Sequence, residues 1–251
     1  MSKTIRKSIR PIMFPLSYLD KRSTAKEYLD MPDMTEDDIL DSFSFIQFVN
    51  RWGGGHRVIR TALATALGSW PKERSLEILD VGCGTGDMAK AVSEWGKDSG
   101  FSIRYKGIDK NSRIIKLAEA RTKIEGIEYS QGDLFDRALP QADIIIASMV
   151  FHHFAEGEIE KAIGHLLTKS RYALIINDLT RSFSLYFICY LLTRFVKSEA
   201  SRNDALLSVR KGFRVEEMQT LLDKLNIRGI IKKQFCGRFS VIIFKEARFQ
   251  S

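Results

Sequence analysis

Four groups of residues have types and spacings that suit chemistry. The first is Leu79-Asp80-Val81-Gly82-Cys83-Gly84-Thr85-Gly86. Glycines at alternate positions let a backbone turn tightly and let a ligand lie against it with no Cβ in the way. A dinucleotide fingerprint requires another Gly where this chain has Asp87, and a P-loop requires a Lys-Ser/Thr pair that is missing here. The second and third are acids. Asp109 ends an apolar run 23 residues beyond Gly86, where a carboxylate can accept both hydroxyls of a ribose. Asp133, in Gln131-Gly132-Asp133-Leu134, follows the next run, where an adenine amino group can be met. Singly, each Asp reads as well as a strand-end or helix-capping residue. Three acids at successive run ends, in register with the glycine loop, read together as one ligand edge. The fourth is His152-His153. An imidazole, with an ordinary pKa of about 6.5, is a suitable general base at neutral pH. Either ring also suits a structural place, capping the next helix or packing under a sheet edge. Asp178 reads as an orienting acid or a turn residue, Cys83 as a small filler, and His56 and His165 as structural or exposed.

Positioning these residues requires strands that end where they stand. Apolar runs at Leu76–Val81, Ile103–Ile108, Ile127–Tyr129, Ala142–Ala147 and Tyr172–Asn177 are short and end in turn or acidic residues. Between them Met88, Ala91, Val92 and Trp95 share one helical face, and so do Ile159, Ala162, Ile163, Leu166 and Leu167. Strands alternating with helices predict a parallel sheet covered on both faces. After a helix carrying Met218, Leu221, Leu222 and Leu225, the runs Ile227–Phe235 and Phe239–Phe244 predict a hairpin, giving seven strands with the last antiparallel. Residues 1–70 read as a helical cap, with Thr35 before Glu36, Asp37 and Asp38 as a helix start, Trp52-Gly53-Gly54-Gly55 as a break and a second helix over Val58–Leu67. Residues 71–251 read as the main domain. Within it, 179–214 stand outside the alternation at the carboxyl edge of the sheet, where open α/β sheets bind ligands. Their stripe of Phe183, Leu185, Tyr186, Phe187, Tyr190, Leu191, Leu192 and Phe195 predicts either a core-facing helix or the apolar wall of a lid.

The motifs LDVGCGTG, GIDKNSRIIKLAEAR and QGDLFD together resemble those of the class I S-adenosylmethionine-dependent methyltransferases, and the resemblance covers about residues 74–178. It implies a Rossmann-like α/β sheet and S-adenosyl-L-methionine as cofactor. It further implies that the glycine loop and Asp80 hold the methionine part, Asp109 the ribose, and Asp133 with Leu134 the adenine. The implied cofactor-binding set is Asp80, Gly82, Cys83, Gly84, Gly86, Asp109, Lys110, Asp133, Leu134, Ala147 and Ser148. The edge Ala147-Ser148-Met149-Val150-Phe151-His152-His153-Phe154 lacks the Asn/Asp-Pro-Pro-aromatic run of amine methyltransferases and is similar to small-molecule methyltransferases, including quinone C-methyltransferases. Glu27-Tyr28-Leu29-Asp30, Asn50-Arg51-Trp52-Gly53-Gly54 and Asn177-Asp178-Leu179-Thr180-Arg181 more distantly resemble methyltransferases that accompany type III polyketide synthases. The implied reaction is O-methylation of an aromatic or lipid-like hydroxyl, with His152 or His153 as base. C-methylation of a quinone-type ring, an RNA-modifying methyltransferase and a non-catalytic cofactor-binding module stand as alternatives.

Composition bounds these readings. Apolar residues make up 44% and charged residues 28% of 251, with 17 Gly and 5 Pro, which describes a globular chain and excludes a collagenous or low-complexity one. The net charge of +8 favours polyanions or a membrane surface. Beyond Lys3, Arg6, Lys7 and Arg10 no concentrated basic block supports nucleic-acid binding. Cys83, Cys189 and Cys236 are odd in number and have no CxxC spacing, so neither a disulfide framework nor a metal site is expected, in keeping with a reducing cytoplasm. The longest apolar run, Leu185–Leu192, falls short of the ~20 residues a spanning helix needs, and Pro11 and Pro15 break any signal-like stretch. The expected partner is a small-molecule acceptor, with peripheral membrane contact through the aromatic segment and the basic surface.

Overall fold

The computed structural model describes residues 16–30, 35–234 and 236–245; the basic tail lies outside them. Seven strands form one sheet: β1 (Leu76–Val81), β2 (Ile103–Asp109), β3 (Ile127–Gln131), β4 (Ala142–Ser148), β5 (Ser170–Leu179), β6 (Ile230–Gln234) and β7 (Arg238–Phe244), in the order β3-β2-β1-β4-β5-β7-β6. Pairings from β3 through β5 are parallel, and β7 is antiparallel to both neighbours. The central strands β1, β4, β5 and β7 run largely apolar on both faces. Leu76, Ile78, Ile144, Ile146, Ala173, Ile175 and Ile242 pack on one side, against Ile59, Ala62 and Leu63 of helix α2 (Gly55–Ala66) and Met88, Ala89 and Val92 of α3 (Asp87–Ser99). Their alternating partners, among them Leu79, Val81, Ile145, Ala147, Leu174 and Val241, pack on the other side. There they meet α5 (Glu156–Lys169) and α8 (Val215–Lys224). Helix α4 (Ser112–Arg121) connects β2 to β3.

The remaining helices cover the carboxyl edge. Thr35 caps α1 (Glu36–Trp52), its side chain accepting from Asp38 N at 3.2 Å as the sequence predicts. The second helix starts at Gly55 instead of Val58, because Gly54 takes a left-handed φ of 86° and turns the chain at once into α2. Residues 179–214 contain α6 (Phe183–Thr193) and α7 (Glu199–Lys211), and α7 packs against α1, α6 and the 3-10 turn Tyr28–Asp30. The aromatic stripe divides: Tyr186 is buried and Leu185 lines a cavity, whereas Phe183, Phe187, Leu191 and Phe195 are exposed, so half of it is neither core nor cavity wall. The hairpin's first strand starts three residues later than the apolar run, and the N–H of Ile227 is still bonded back to Leu222 O of α8 at 2.9 Å, across the turn at Asn226 (φ 53°). Among the described residues, no helix is long and apolar enough to cross a membrane.

Candidate functional site

The order of strands reverses between β1 and β4, and the crevice outside their carboxyl ends is the place where open α/β sheets bind ligands. Beyond β1 the chain turns through Gly82, Gly84 and Gly86, all at positive φ, while the N–H groups of Gly82 and Cys83 donate to Ile108 O at 2.8 and 2.9 Å. A Cβ on Gly82 would meet Val150 Cγ2 at 2.6 Å, and one on Gly84 would meet Phe43 of α1 at 2.9 Å. The loop thus lies flat between the β4 edge and α1. It floors a cavity of about 470 Å³ lined by Asp80, Gly82, Cys83, Gly84, Asp109, Lys110, Asp133, Leu134, Ser148 and His153.

Asp109 holds the loop in place: Oδ2 accepts from Gly84 N at 3.2 Å and Oδ1 from Asn111 N at 3.0 Å. Each oxygen keeps a lone pair for a ligand hydroxyl. Burial pushes its carboxyl up, against the pull of those two N–H donors. Asp133 is exposed at the cavity rim and accepts from Phe135 N at 2.8 Å. Asp80 is buried, accepts from the Tyr105 hydroxyl through Oδ2, and has no protein partner at Oδ1. Burial raises its pKa to about 7, with Asp87 and Asp109 adding to the rise and Tyr105 opposing it. Burial also raises Cys83, the reverse of what a nucleophile needs. Gly86 and Ala147, assigned from sequence to the cofactor set, do not line the cavity. Gly86 passes under Tyr129, whose hydroxyl would stand 2.3 Å from a Cβ there, and Ala147 is fully buried in the sheet.

The two histidines occupy different places. They lie on the 3-10 turn Phe151–His153 after β4. His152 is 2% exposed, its Nδ1 2.7 Å from Asp178 Oδ1 and its backbone N–H donating to Asp178 Oδ2 at 3.1 Å. Burial alone would raise Asp178, yet the charge and hydrogen bonds of His152 and the N–H of Leu179 outweigh it and hold the carboxyl below its ordinary range. Asp178 therefore accepts, and the His152 Nδ1 carries the proton. His153 lines the cavity. Between the rings comes Glu27, from the segment before α1: its Oε1 is 3.7 Å from His152 Nε2 and its Oε2 3.8 Å from His153 Nε2. Lys211 Nζ, from the end of α7, stands 3.3 Å from Glu27 Oε1, and all four side chains except His153 are almost wholly buried. The ligating atoms of Glu27, His152 and His153 lie within 4.8 Å of one another, a spacing open to a cation, and the Lys211 ammonium already places one beside it.

Sequence reasoning missed Glu27 and Lys211 as site residues, and it placed the cap over the site without singling out the side chains that form its roof. Phe43 covers Gly84, Gln47 Nε2 donates to Thr85 Oγ1 at 2.8 Å, and Asn50 Nδ2 donates to Asp87 Oδ2 at 3.0 Å. A second, apolar cavity of about 90 Å³ lies among α1, α6 and α7 and shares Leu29, Ile46, Asn50 and Met149 with the first. Met149 stands at the seam, with a positive φ of 62° that is unusual for a side-chain-bearing residue.

A family profile described as "Methyltransferase domain" matches residues 78–169, which hold the glycine loop, Asp109, Asp133 and both histidines. No curated protein matches the chain in sequence. Among solved structures, the plantazolicin methyltransferase BpumL in complex with SAH superposes with a TM-score of 0.63 at 16% identity, over 84% of this chain and 91% of that one. Human N-acetylserotonin methyltransferase in complex with SAM gives 0.59 at 18% identity, over 88% and 63%. Magnesium protoporphyrin IX methyltransferase from Synechocystis PCC 6803 gives 0.53 at 14%, over 87% and 91%. These likenesses show a shared fold, and the profile match places a methyltransferase-like domain over residues 78–169.

Proposed function

We propose that the chain transfers a methyl group from S-adenosylmethionine to the hydroxyl of a small aromatic or lipid-like acceptor. The observation that carries this is the junction of two cavities, one edged by the acids Asp80, Asp109 and Asp133, the other lined mainly by apolar side chains, with Met149 common to both. The residues present fit the cofactor: Asp80 has a buried oxygen without a protein partner for an ammonium, Asp109 has lone pairs for ribose hydroxyls, and Gly84 leaves no room for a Cβ. When bound, S-adenosylmethionine supplies a methyl group on a sulfonium, already an activated electrophile. What remains for the protein is to place the acceptor in line and take its proton.

In this reading His153 is the base, since it lines the cavity, and Glu27 Oε2 stabilises the imidazolium formed. His152 is a positioning residue, fixed by Asp178 and holding the turn that carries His153. The cap and the α6–α7 insertion cover the site, and the exposed face of α6 contacts a membrane surface. The test is incubation with methyl-labelled S-adenosylmethionine and a panel of phenols and hydroxylated lipids, followed by mass spectrometry. An O-methylated product is expected. Label on a ring carbon would assign C-methylation, label in RNA an RNA enzyme, and binding without transfer to any acceptor a non-catalytic module.

A further inference from the structure

The apolar cavity among α1, α6 and α7 is lined mainly by Phe45, Val49, Leu185 and Cys189, yet Arg238 also lines it. Arg238 opens β7 beside the end of β5 and is 2% exposed. Its Nη2 donates to Asn50 Oδ1 at 2.9 Å, and its Nη1 is buried with no partner. Among the described residues no carboxylate lies within ion-pair distance of it. Asp178 and Asp87 act on it only through space, and both are committed elsewhere, Asp178 to His152 and Asp87 to Asn50 and His56. Of the two acids that line this cavity, Glu27 faces Lys211 and the two histidines, and Asp204 accepts from the N–H groups of Tyr28 and Leu29 at 2.7 Å. A guanidinium stripped of water, with one neutral acceptor and an unmet donor, is a costly arrangement for a chain to keep. Burial lowers its pKa to about 10, which leaves it charged at neutral pH.

We infer that Arg238 receives an acidic oxygen of the acceptor, so that the methylated molecule is a carboxylic acid whose apolar body fills the α1–α6–α7 cavity. The inference rests on the proposed acceptor site and adds the charge of what it takes. Arginine suits this task because its planar fork matches a carboxylate. The cavity's size of about 90 Å³ agrees: at roughly 10–15 Å³ per water it has room for about six to nine waters, the space of a substituted ring or a short chain. The cofactor also carries a carboxylate, but Arg238 lines the apolar cavity and not the one edged by Asp80 and Asp109.

Calorimetry on the full chain saturated with S-adenosylhomocysteine tests this without turnover, using benzoate, 4-hydroxybenzoate, hexanoate and octanoate, each beside its matching alcohol. At least one acid should bind tenfold or more tightly than its alcohol. The preference should persist in Arg238→Lys and shrink to under threefold in Arg238→Met, with S-adenosylhomocysteine affinity changed less than threefold. If no acid is preferred in the unmodified chain, the inference falls, whether or not the variants fold. If Arg238→Met instead weakens S-adenosylhomocysteine tenfold, the guanidinium serves the cofactor and the inference again falls. Failure of the unmodified chain to bind S-adenosylhomocysteine at all would overturn the underlying methyltransferase reading separately.

Discussion

In the proposed cofactor site Asp109 has two tasks: its carboxylate ties down Gly84, and its remaining lone pairs are offered to the ribose. Hydrogen bonds to charged groups contribute about 1.5–3 kcal/mol each. Asp109→Ala should therefore weaken S-adenosylhomocysteine binding at least tenfold by calorimetry, and unchanged affinity would remove the ribose assignment. The histidines should separate under mutation. His153→Gln should lower turnover by roughly 10²–10⁴ with cofactor affinity intact. His152→Gln should show chiefly a lower unfolding midpoint, since His152 lies in the core against Asp178. Equal loss of turnover at normal stability in both would contradict the division of roles. The acids Asp80, Asp109 and Asp133 were legible in the sequence because each stands at or just beyond the end of an apolar run, and that spacing survives folding. Glu27, Lys211 and Arg238 were not, since a charged side chain reads as surface until the fold shows what lies against it.

At the scale of elements, the insertion is seated by one side chain. Arg181, fully buried, donates to Leu19 O at 2.9 Å and Gly212 O at 2.7 Å and pairs with Glu217. It thus joins the segment before α1, the end of β5 and the start of α8. Glu217 is 39% exposed and keeps water when the guanidinium is lost, but the Leu19 and Gly212 carbonyls would lose their buried donor, at about 1–3 kcal/mol each. Arg181→Met should therefore lower stability by that order in urea unfolding, and a loss below 1 kcal/mol would show that the contacts are dispensable. The strands β1, β4 and β5 were legible from short apolar runs because both faces are covered and no alternation obscures them. The orientation of α6 was not. A helix apolar on nearly all sides gives periodicity little to measure, and only the packing of α7 decides that Leu185 and Cys189 turn inward while Phe187 and Leu191 turn out.

Over the whole molecule, the outward face of α6 presents Phe183, Phe187, Ile188 and Leu191, next to Phe195 at 88% exposure, on a chain of net charge +8. Contiguous exposed apolar surface beside positive charge is the combination that holds a protein to an anionic bilayer. Flotation with phosphatidylserine vesicles should recover the protein, and Phe187→Glu with Leu191→Glu should release it; equal recovery of both would exclude this face. The cluster beneath carries a consequence for assembly. Glu27 and Lys211 meet from nearly opposite ends of the chain, whereas the glycine loop and Asp109 are neighbours in sequence. Contacts between distant positions cost more chain entropy to close and tend to form late. A refolding chain should thus regain S-adenosylhomocysteine binding before it can deprotonate an acceptor, and stopped-flow binding set against sampled turnover would record that lag. During the lag the enzyme would hold its cofactor yet be silent, so that competence in chemistry reports the completed fold.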